Sequence, residues 1–325
     1  MMDPLLAYAV FFLTLVGIYA LLALGLNVQW GFAGLFNIGI AAFFSVGAYA
    51  SAILTRPESN EHLGGFALPL ALGWVGAMIT AGVLALLVGL ITLRLREDYL
   101  AIASIGIAEI VRLALKNEEW LTNGVRGIGG IVHPFAELSR GARELAFLAL
   151  VLAIVAIAYA AFERARQSPW GRAVRAIREG EVSAVAAGKN AMVFRLQAFT
   201  VGSMIMGLAG AVYAHFIGFI SPEAFDPMFA TFLVWVMLII GGSGNNRGAL
   251  LGAFAIWFVW SGTEYLTSLL PAEMVARAGA LRLLLVGLLL QLVLLTRPQG
   301  LLPEERFVNR ALTRKPAQEA QAGKR

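Results

Sequence analysis

From Leu5 to Leu26 the chain carries no charged residue. A run of about 20 mainly apolar residues is what an α-helix needs to cross ~30 Å of hydrocarbon. Runs of this kind recur near 5–26, 30–54, 66–93, 99–115, 144–162, 192–218, 228–242, 248–270 and 280–296. In lipid every backbone N–H and C=O must find a partner inside the protein, so spanning segments this long are helices. The sequence therefore predicts an all-α fold, a polytopic transmembrane helix bundle of about nine spans (eight to ten), as a single domain over residues 1–325. Composition agrees: 59% of residues are of the AVILMFWYC set and only 14% are charged, against roughly 25% charged in soluble domains. A chain of mean hydropathy +0.77 cannot cover itself with polar surface in water. Intrinsic disorder and nucleic-acid binding are excluded on the same grounds, and basic loops placed by the positive-inside rule account for the net charge of +5.

The segment at 30–54 is the least regular, being interrupted by Gly31, Gly34, Asn37, Gly39 and Gly47. Glycine-rich backbone at membrane depth is tolerated where it packs on protein or lines a cavity. Close helix–helix packing through small residues explains the same glycines. Because the first basic residue is Arg56, the basic start of a cleavable signal is missing and the first apolar run is expected to remain as a span.

Lysine and arginine orient the bundle. Seven of 25 lie from Arg164 to Arg195 and seven more from Arg297 to Arg325, so both regions are expected in the cytoplasm. Four spans separate them, which returns the chain to the same side. The connection at 219–227, with Glu223 and Asp226, then falls outside, and the turn holding Arg247 inside. Counting back puts Arg94 and Arg96 inside, the N-terminus outside, and the 116–143 connection outside despite Lys116, Arg126, Arg140 and Arg143. Trp30, Trp74, Trp120 and Trp170 lie near proposed span ends, as interfacial aromatics do.

Several chemistries are ruled out by inventory. There is no cysteine, hence no disulfide, thiolate-bound metal or thiol catalysis. His62, His133 and His215 lack the spacing of a metal site and are expected in loops or interfaces. A phosphate-binding loop needs glycine, four residues, then Gly-Lys-Ser/Thr. The one Gly-Lys pair outside the C-terminal tail, Gly188-Lys189, is followed by Asn190 and has Ser183 where the first glycine belongs. No cofactor is expected in this chain, and any ATP and magnesium belong to separate subunits. No paired carboxylates or nucleophile–base set points to an enzyme.

Between two blocks of spans, residues 163–191 read ERARQSPWGRAVRAIREGEVSAVAAGKNA. Ser168-Pro169 starts a helix, and Ala173, Val174, Ile177, Val182, Val185 and Ala186 recur at helical spacing among Arg172, Arg175, Arg178, Glu179 and Glu181. One or two short amphipathic helices follow, with Gly188 as C-cap. Either such a helix lies on anionic lipid or it fits a groove on a cytoplasmic partner.

The stretches ALGLNVQWGFAGLFNIGIAAFFSVGAYASAIL (23–54), LRLREDYLAIASIGIAEIVRLALKN (93–117), LTNGVRGIGGI (121–131), GRAVRAIREGEVSAVAAGKN (171–190), RLQAFTVGSMIMGLAGAVYAHFIGFISPEAF (195–225), GGSGNNRGALLGA (241–253) and RPQGLL (297–302) occur in the order seen in one family. They resemble inner-membrane permeases of branched-chain amino acid ABC importers, of the LivM type. The resemblance implies a multi-pass protein of the bacterial inner (plasma) membrane that works by alternating access. It further implies a homologous second permease, two cytoplasmic ATPase subunits, a periplasmic substrate-binding protein and a small amino-acid substrate. On the family's cytoplasmic signature fall Glu181, Ala184 and Gly188, which, with Arg172, Arg175 and Arg178, would then seat the ATPase. Two departures stand out: FNIGIAAFF lacks the family's usual histidine or serine, and the 94–98 loop carries Glu97-Asp98 where glycine is frequent.

Ionisable and polar residues inside spans are costly and mark function by default. Glu109 and Arg112 form an i,i+3 pair in the 99–115 run. They either line a path or brace the fold. Glu264 is a second case, and Asn27, Gln29 and Asn37 supply neutral donors and acceptors near the broken segment. Those suit a path for a zwitterion, and hydrogen bonds that tie a broken helix together explain them equally well. Gly31-x-x-Gly34 and Gly241-x-x-Gly244 form a weak internal echo. Permeation of urea, short amides or other small amphiphiles is the nearest alternative, and an ion-coupled secondary transporter using Glu109 and Glu264 is the alternative of another class.

Overall fold

A computed structural model of the chain describes residues 3–57, 62–95, 97–268 and 278–304. Among the described residues its regular structure is helical, apart from one short pair of strands. Asp3 caps α1 (Pro4–Leu26), its side chain accepting from the Leu5 N–H, with Pro4 in the first turn where its missing N–H costs nothing. Without a break α1 enters a π-helical turn, Asn27–Phe32, and the two form one 29-residue helix. The chain then runs irregularly from residue 33 to residue 39, with Gly34 in the left-handed region (φ +69°), before α2 (Ile40–Thr55) begins.

The remaining helices follow in order: α3 (Leu70–Thr92), α4 (Glu97–Asn117), α5 (Glu119–Thr122), α6 (Arg140–Gln167), α7 (Pro169–Glu179), α8 (Glu181–Ala186) and α9 (Ala191–Ile217). A second π-helical turn, Met228–Phe232, leads into α10 (Leu233–Gly241), and α11 (Asn246–Ser268) and α12 (Ala278–Thr296) close the bundle.

All nine apolar runs hold helix, but not nine equal ones. Among the described residues, five helices have the length and apolarity to cross a membrane: Pro4–Phe32, Leu70–Thr92, Arg140–Gln167, Ala191–Ile217 and Gly279–Thr296. Two apolar helices are shorter, Ile40–Thr55 and Ala230–Gly241, while α4, with Glu109, Arg112 and Lys116, and α11, with Arg247 and Glu264, are as long but more polar. The run at 30–54 is not one span. Its first residues complete the preceding helix, and the left-handed Gly34 with the Asn37 side chain, which accepts from the Gly39 N–H at 2.8 Å, breaks what remains. Glu97 and Asp98 open α4 rather than sitting in a loop, where carboxylates favour a helix N-terminus. His215 is neither in a loop nor exposed: it is buried in the last turn of α9, its ring meeting the Val132 carbonyl at 2.7 Å and the Ser51 hydroxyl at 3.0 Å.

At the centre stands α9, packed on α1, α2 and α3, while α1 also meets α6 and α11. Glycines make those contacts close. A Cβ on Gly47 of α2 would lie 2.1 Å from the Gly207 carbonyl oxygen of α9, and one on Gly25 of α1 would lie 2.7 Å from that of Gly202. With lipid outside as apolar as leucine, such backbone approach is what drives helices together.

The two ends of the bundle differ in charge. Ile128–Gly129 and Phe219–Ile220 pair as antiparallel strands, so the 116–143 and 219–227 connections share one end, as the span count requires. Arg166, Arg175, Arg178 and Arg195 gather at the other end with Glu304 and Glu181. The tail from Arg306 onward lies outside the described residues, as do the last two residues of the 248–270 run.

Gly47→Ala is expected to destabilise the bundle by about 1–3 kcal/mol through overpacking and to lower the melting temperature in detergent. Gly106→Ala, where an added Cβ meets nothing within 4 Å, is expected to leave it unchanged or raise it by relieving helix entropy.

Candidate functional site

At the basic end, α7 and α8 lie across the bundle. Ser168 caps α7, its hydroxyl accepting from the Gly171 N–H at 3.3 Å, and Pro169 fills the first turn. Gly171, Ala173, Val174 and Ile177 point inward and are buried. Ile177 joins Ala184 and Ala191 in a small apolar cluster with Phe194. The Trp170 indole donates to Gln197 at 2.9 Å, tying α7 to α9. Gly188 closes α8 in the left-handed region (φ +77°), its N–H donating to the Val185 carbonyl and the Lys189 N–H to that of Ala184. Of the one or two amphipathic helices expected, two are present, with Gly188 at their close. Val182 and Val185 face away, 85% and 51% exposed.

The arginines of this segment divide by role. Arg172 is held by the Gln167 carbonyl at 3.0 Å and stays at the rim. Arg175 donates to the Arg166 carbonyl at 2.9 Å, and burial pulls its guanidinium below the ordinary value while Glu304 opposes that shift. Arg195 of α9 pairs with Glu181 at 3.0 Å. Arg178 reaches farthest: its Nη1 donates to the Gly31 carbonyl in the π-helical turn, and its Nη2 lies 2.8 and 3.0 Å from the two oxygens of the Glu304 carboxylate. Arginine suits this place because one planar guanidinium presents two nitrogens to two separate partners.

Behind Gly31 the polar residues of the broken segment form two neighbouring sets of hydrogen bonds, one around Asn27 and one around Gln29 and Asn37. The Asn27 side chain accepts from the Gly244 N–H at 2.8 Å and donates to the Asn246 side chain at 3.0 Å, which in turn donates to Glu163 at 3.1 Å. Gln29 donates to the Phe199 carbonyl at 2.8 Å and to the Ser203 hydroxyl at 2.9 Å, and accepts from the Asn37 amide at 2.8 Å. The Asn37 carbonyl accepts from the Trp235 indole at 2.9 Å. Asn27, Gln29 and Asn37 are fully buried. Of their two explanations, this geometry favours the one in which hydrogen bonds tie the broken helix to its neighbours.

The glycine echo is a meeting in space. A Cβ on Gly31 would lie 2.5 Å from the Gly244 nitrogen, so the two motifs touch backbone to backbone. Sequence reasoning gave no role to Asn246, Glu163, Glu304 or Trp235, although Asn246 lies within the GGSGNNRG stretch that signalled the family.

Glu109 and Arg112 do pair, in two hydrogen bonds of 2.9 and 2.6 Å, and Arg112 continues to Glu223 at 3.7 Å. Lys116 meets the same Glu223 at 3.1 Å, linking α4 to the strand end of the molecule. Glu264 lies apart from them, 3.6 Å from Arg282 of α12, whose guanidinium sits 5.7 Å from the Trp260 ring. The candidate path residues thus fall in three places: the buried amides, the α4 pair and an α11–α12 clamp.

With this geometry in view, the comparisons with known proteins are informative. Residues 8–294 match the family described as branched-chain amino acid transport system, permease component. The chain belongs to this permease family. It is 34% identical to the high-affinity branched-chain amino acid transport system permease protein LivM of Escherichia coli (strain K12), over 90% of this chain and 69% of the relative. It is 30% identical to the "Probable branched-chain amino acid transport permease protein LivM" of Methanocaldococcus jannaschii, over 92% and 94%. A permease protein named LivH from the Escherichia coli strain is 24% identical over 89% and 92%. None of the solved structures matches. The permease is a multi-pass membrane protein.

Asn27→Ala leaves the buried Gly244 N–H and the Asn246 amide without their partner. It is expected to cost about 1–3 kcal/mol, read as a lower melting temperature in detergent. Loss of uptake at an unchanged melting temperature would instead place Asn27 on the transport path.

Proposed function

We propose that the chain is one of two permease subunits of an ATP-driven importer of branched-chain amino acids in the bacterial inner membrane, with α7 and α8 as the seat of an ATPase subunit. The observation that carries this is the construction of that segment. Its inner stripe is locked to α9, while Val182 and Val185 project outward from the basic end. Exposed apolar side chains on a charged helix fit a groove in a protein partner. The family membership and the names of its LivM and LivH relatives support the second permease and the substrate class. A periplasmic binding protein completes the machine and sets most of its selectivity.

ATP is bound by the partner subunits, since the chain has no phosphate-binding loop. Closure of the ATPase pair would push on α7 and α8. Nucleotide can shift the bundle between inward-open and outward-open states only by the difference in its affinity for the two. Arg178 gives the push a route, because its guanidinium holds both the π-helical turn of α1 and the segment after α12. The ion-coupled alternative draws no support from the geometry, as Glu109 and Glu264 are both paired with arginine.

Purified complex in vesicles loaded with ATP is expected to take up leucine only when the binding protein is added; uptake driven by a pH gradient without ATPase subunits would overturn the reading. Gly188→Val, which forces a β-branched residue into the left-handed region at ~1–2 kcal/mol or more, is expected to weaken ATPase docking or uncouple hydrolysis from uptake. Gly188→Asn, which tolerates that conformation, is expected to retain far more coupling. Equal behaviour of both variants and wild type would remove Gly188 from the docking seat.

A further inference from the structure

On the side of the bundle, between α4 and the irregular segment, opens a groove of about 720 Å³ lined by Trp30, Phe36, Ile105, Phe232 and Trp235, with Glu109 at its edge. That volume lies in the range of small-molecule sites. Trp30, Phe36 and Trp235 form an aromatic wall with ring centroids 4.7 to 5.3 Å apart. The Trp235 N–H is already given to the Asn37 carbonyl, so that ring offers the groove a non-polar face.

Two observations argue that this side does not face lipid. Glu109 stays 43% exposed in the chain alone, although it sits in the apolar 99–115 run about two turns inside the end of α4. Charges at that depth cost about 2.5–3.5 kcal/mol each or more when turned toward hydrocarbon, and they face protein or water instead. Phe36 and Ile38, which line the groove, belong to the stretch without helical hydrogen bonds, and the Ile38 N–H relies on the Ser104 hydroxyl at 2.9 Å. Irregular backbone at membrane depth is found where it is buried in protein or borders a water-filled cavity.

We propose that this groove holds the substrate during passage. The substrate is an aliphatic zwitterion, its branched side chain lies against Trp30, Phe36 and Trp235, and its ammonium group meets Glu109. This rests on the importer function proposed above. The fit is one of charge and shape: a carboxylate on the lining of an apolar wall complements a molecule with an ammonium group at one end and a hydrocarbon at the other. Urea and short amides carry neither charge nor hydrocarbon enough to use it. The groove also adjoins the π-helical turn that Arg178 holds, so movement of α7 would alter the wall on which the side chain rests.

Because the chain has no cysteine, Ile105→Cys in the assembled complex is a clean probe. The complex is reconstituted with the binding protein and treated with a membrane-impermeant methanethiosulfonate, and the modified chain is read by mass. The expected result is labelling that leucine plus binding protein slows, with uptake that stops on modification and returns on reduction. Labelling by a membrane-permeant maleimide alone would mean a lipid-facing groove, and no labelling in any nucleotide state would mean a dry contact between permeases. Either overturns the proposal, as does labelling that leaves uptake running. In parallel, Glu109→Gln should raise the KM for leucine about tenfold or more, the loss of one charge-assisted hydrogen bond. An unchanged KM in an intact complex removes Glu109 from the site. If the complex without substitutions shows no ATP-driven leucine uptake, the importer function fails first and the groove assignment with it, which separates the two claims.

Discussion

The meeting of Gly31 and Gly244 is the contact on which the basic end of this bundle depends. A Cβ on Gly31 would lie 2.5 Å from the Gly244 nitrogen, one on Gly244 would meet the Glu304 carboxylate, and the Asn27 side chain stitches the two segments by accepting from the Gly244 N–H while donating to Asn246. In lipid nothing but protein can satisfy a freed amide. A helix that ends at membrane depth must therefore carry its own partners, and Asn27, Gln29 and Asn37 are those partners. Being uncharged, they are buried at a lower desolvation cost than ionised side chains would be.

From this stitch the architecture runs in two directions. Toward the basic end, the Gly31 carbonyl accepts from Arg178, which also grips Glu304, so α7, the end of α1 and the segment after α12 share one arginine. Toward the side, the irregular stretch that follows Gly34 leaves an aromatic-walled groove instead of a continuous helix. The strand end is built differently, from the Ile128–Ile220 pairing, buried His215 and the Arg112–Glu223–Lys116 ion cluster. At the basic end α8 turns Val182 and Val185 outward, and there the proposed ATPase seat lies.

Much of this was legible in the sequence because the bilayer leaves a chain few choices. Each apolar run had to hold helix, and each does, although an irregular stretch from 33 to 39 breaks the 30–54 run. The 168–188 segment declared its helices through Ser168-Pro169, the spacing of Val174 and Ile177, and Gly188. The Glu109–Arg112 pair was visible because partners three apart on a helix adjoin. What the sequence hid was where helices stop without leaving the membrane. A π-helical turn such as NVQWGF continues the helix it ends with no proline or charge to mark the stop, so the boundary between the first and second runs was misplaced. Asn27 and Asn246 stand 219 positions apart, and no local pattern pairs them. Glycine spacing hinted at the contact, but only the fold shows that the two motifs touch.

The most direct test of the coupling route is the ratio of leucine taken up to ATP hydrolysed by the reconstituted complex when Arg178→Ala replaces the wild-type chain, with Arg172→Ala as the rim control. The predicted result is an Arg178→Ala complex that assembles and hydrolyses ATP while its uptake per ATP falls steeply, and an Arg172→Ala complex that keeps the wild-type ratio. An unchanged ratio in Arg178→Ala would contradict the claim that this arginine carries motion from the ATPase seat to the broken helix.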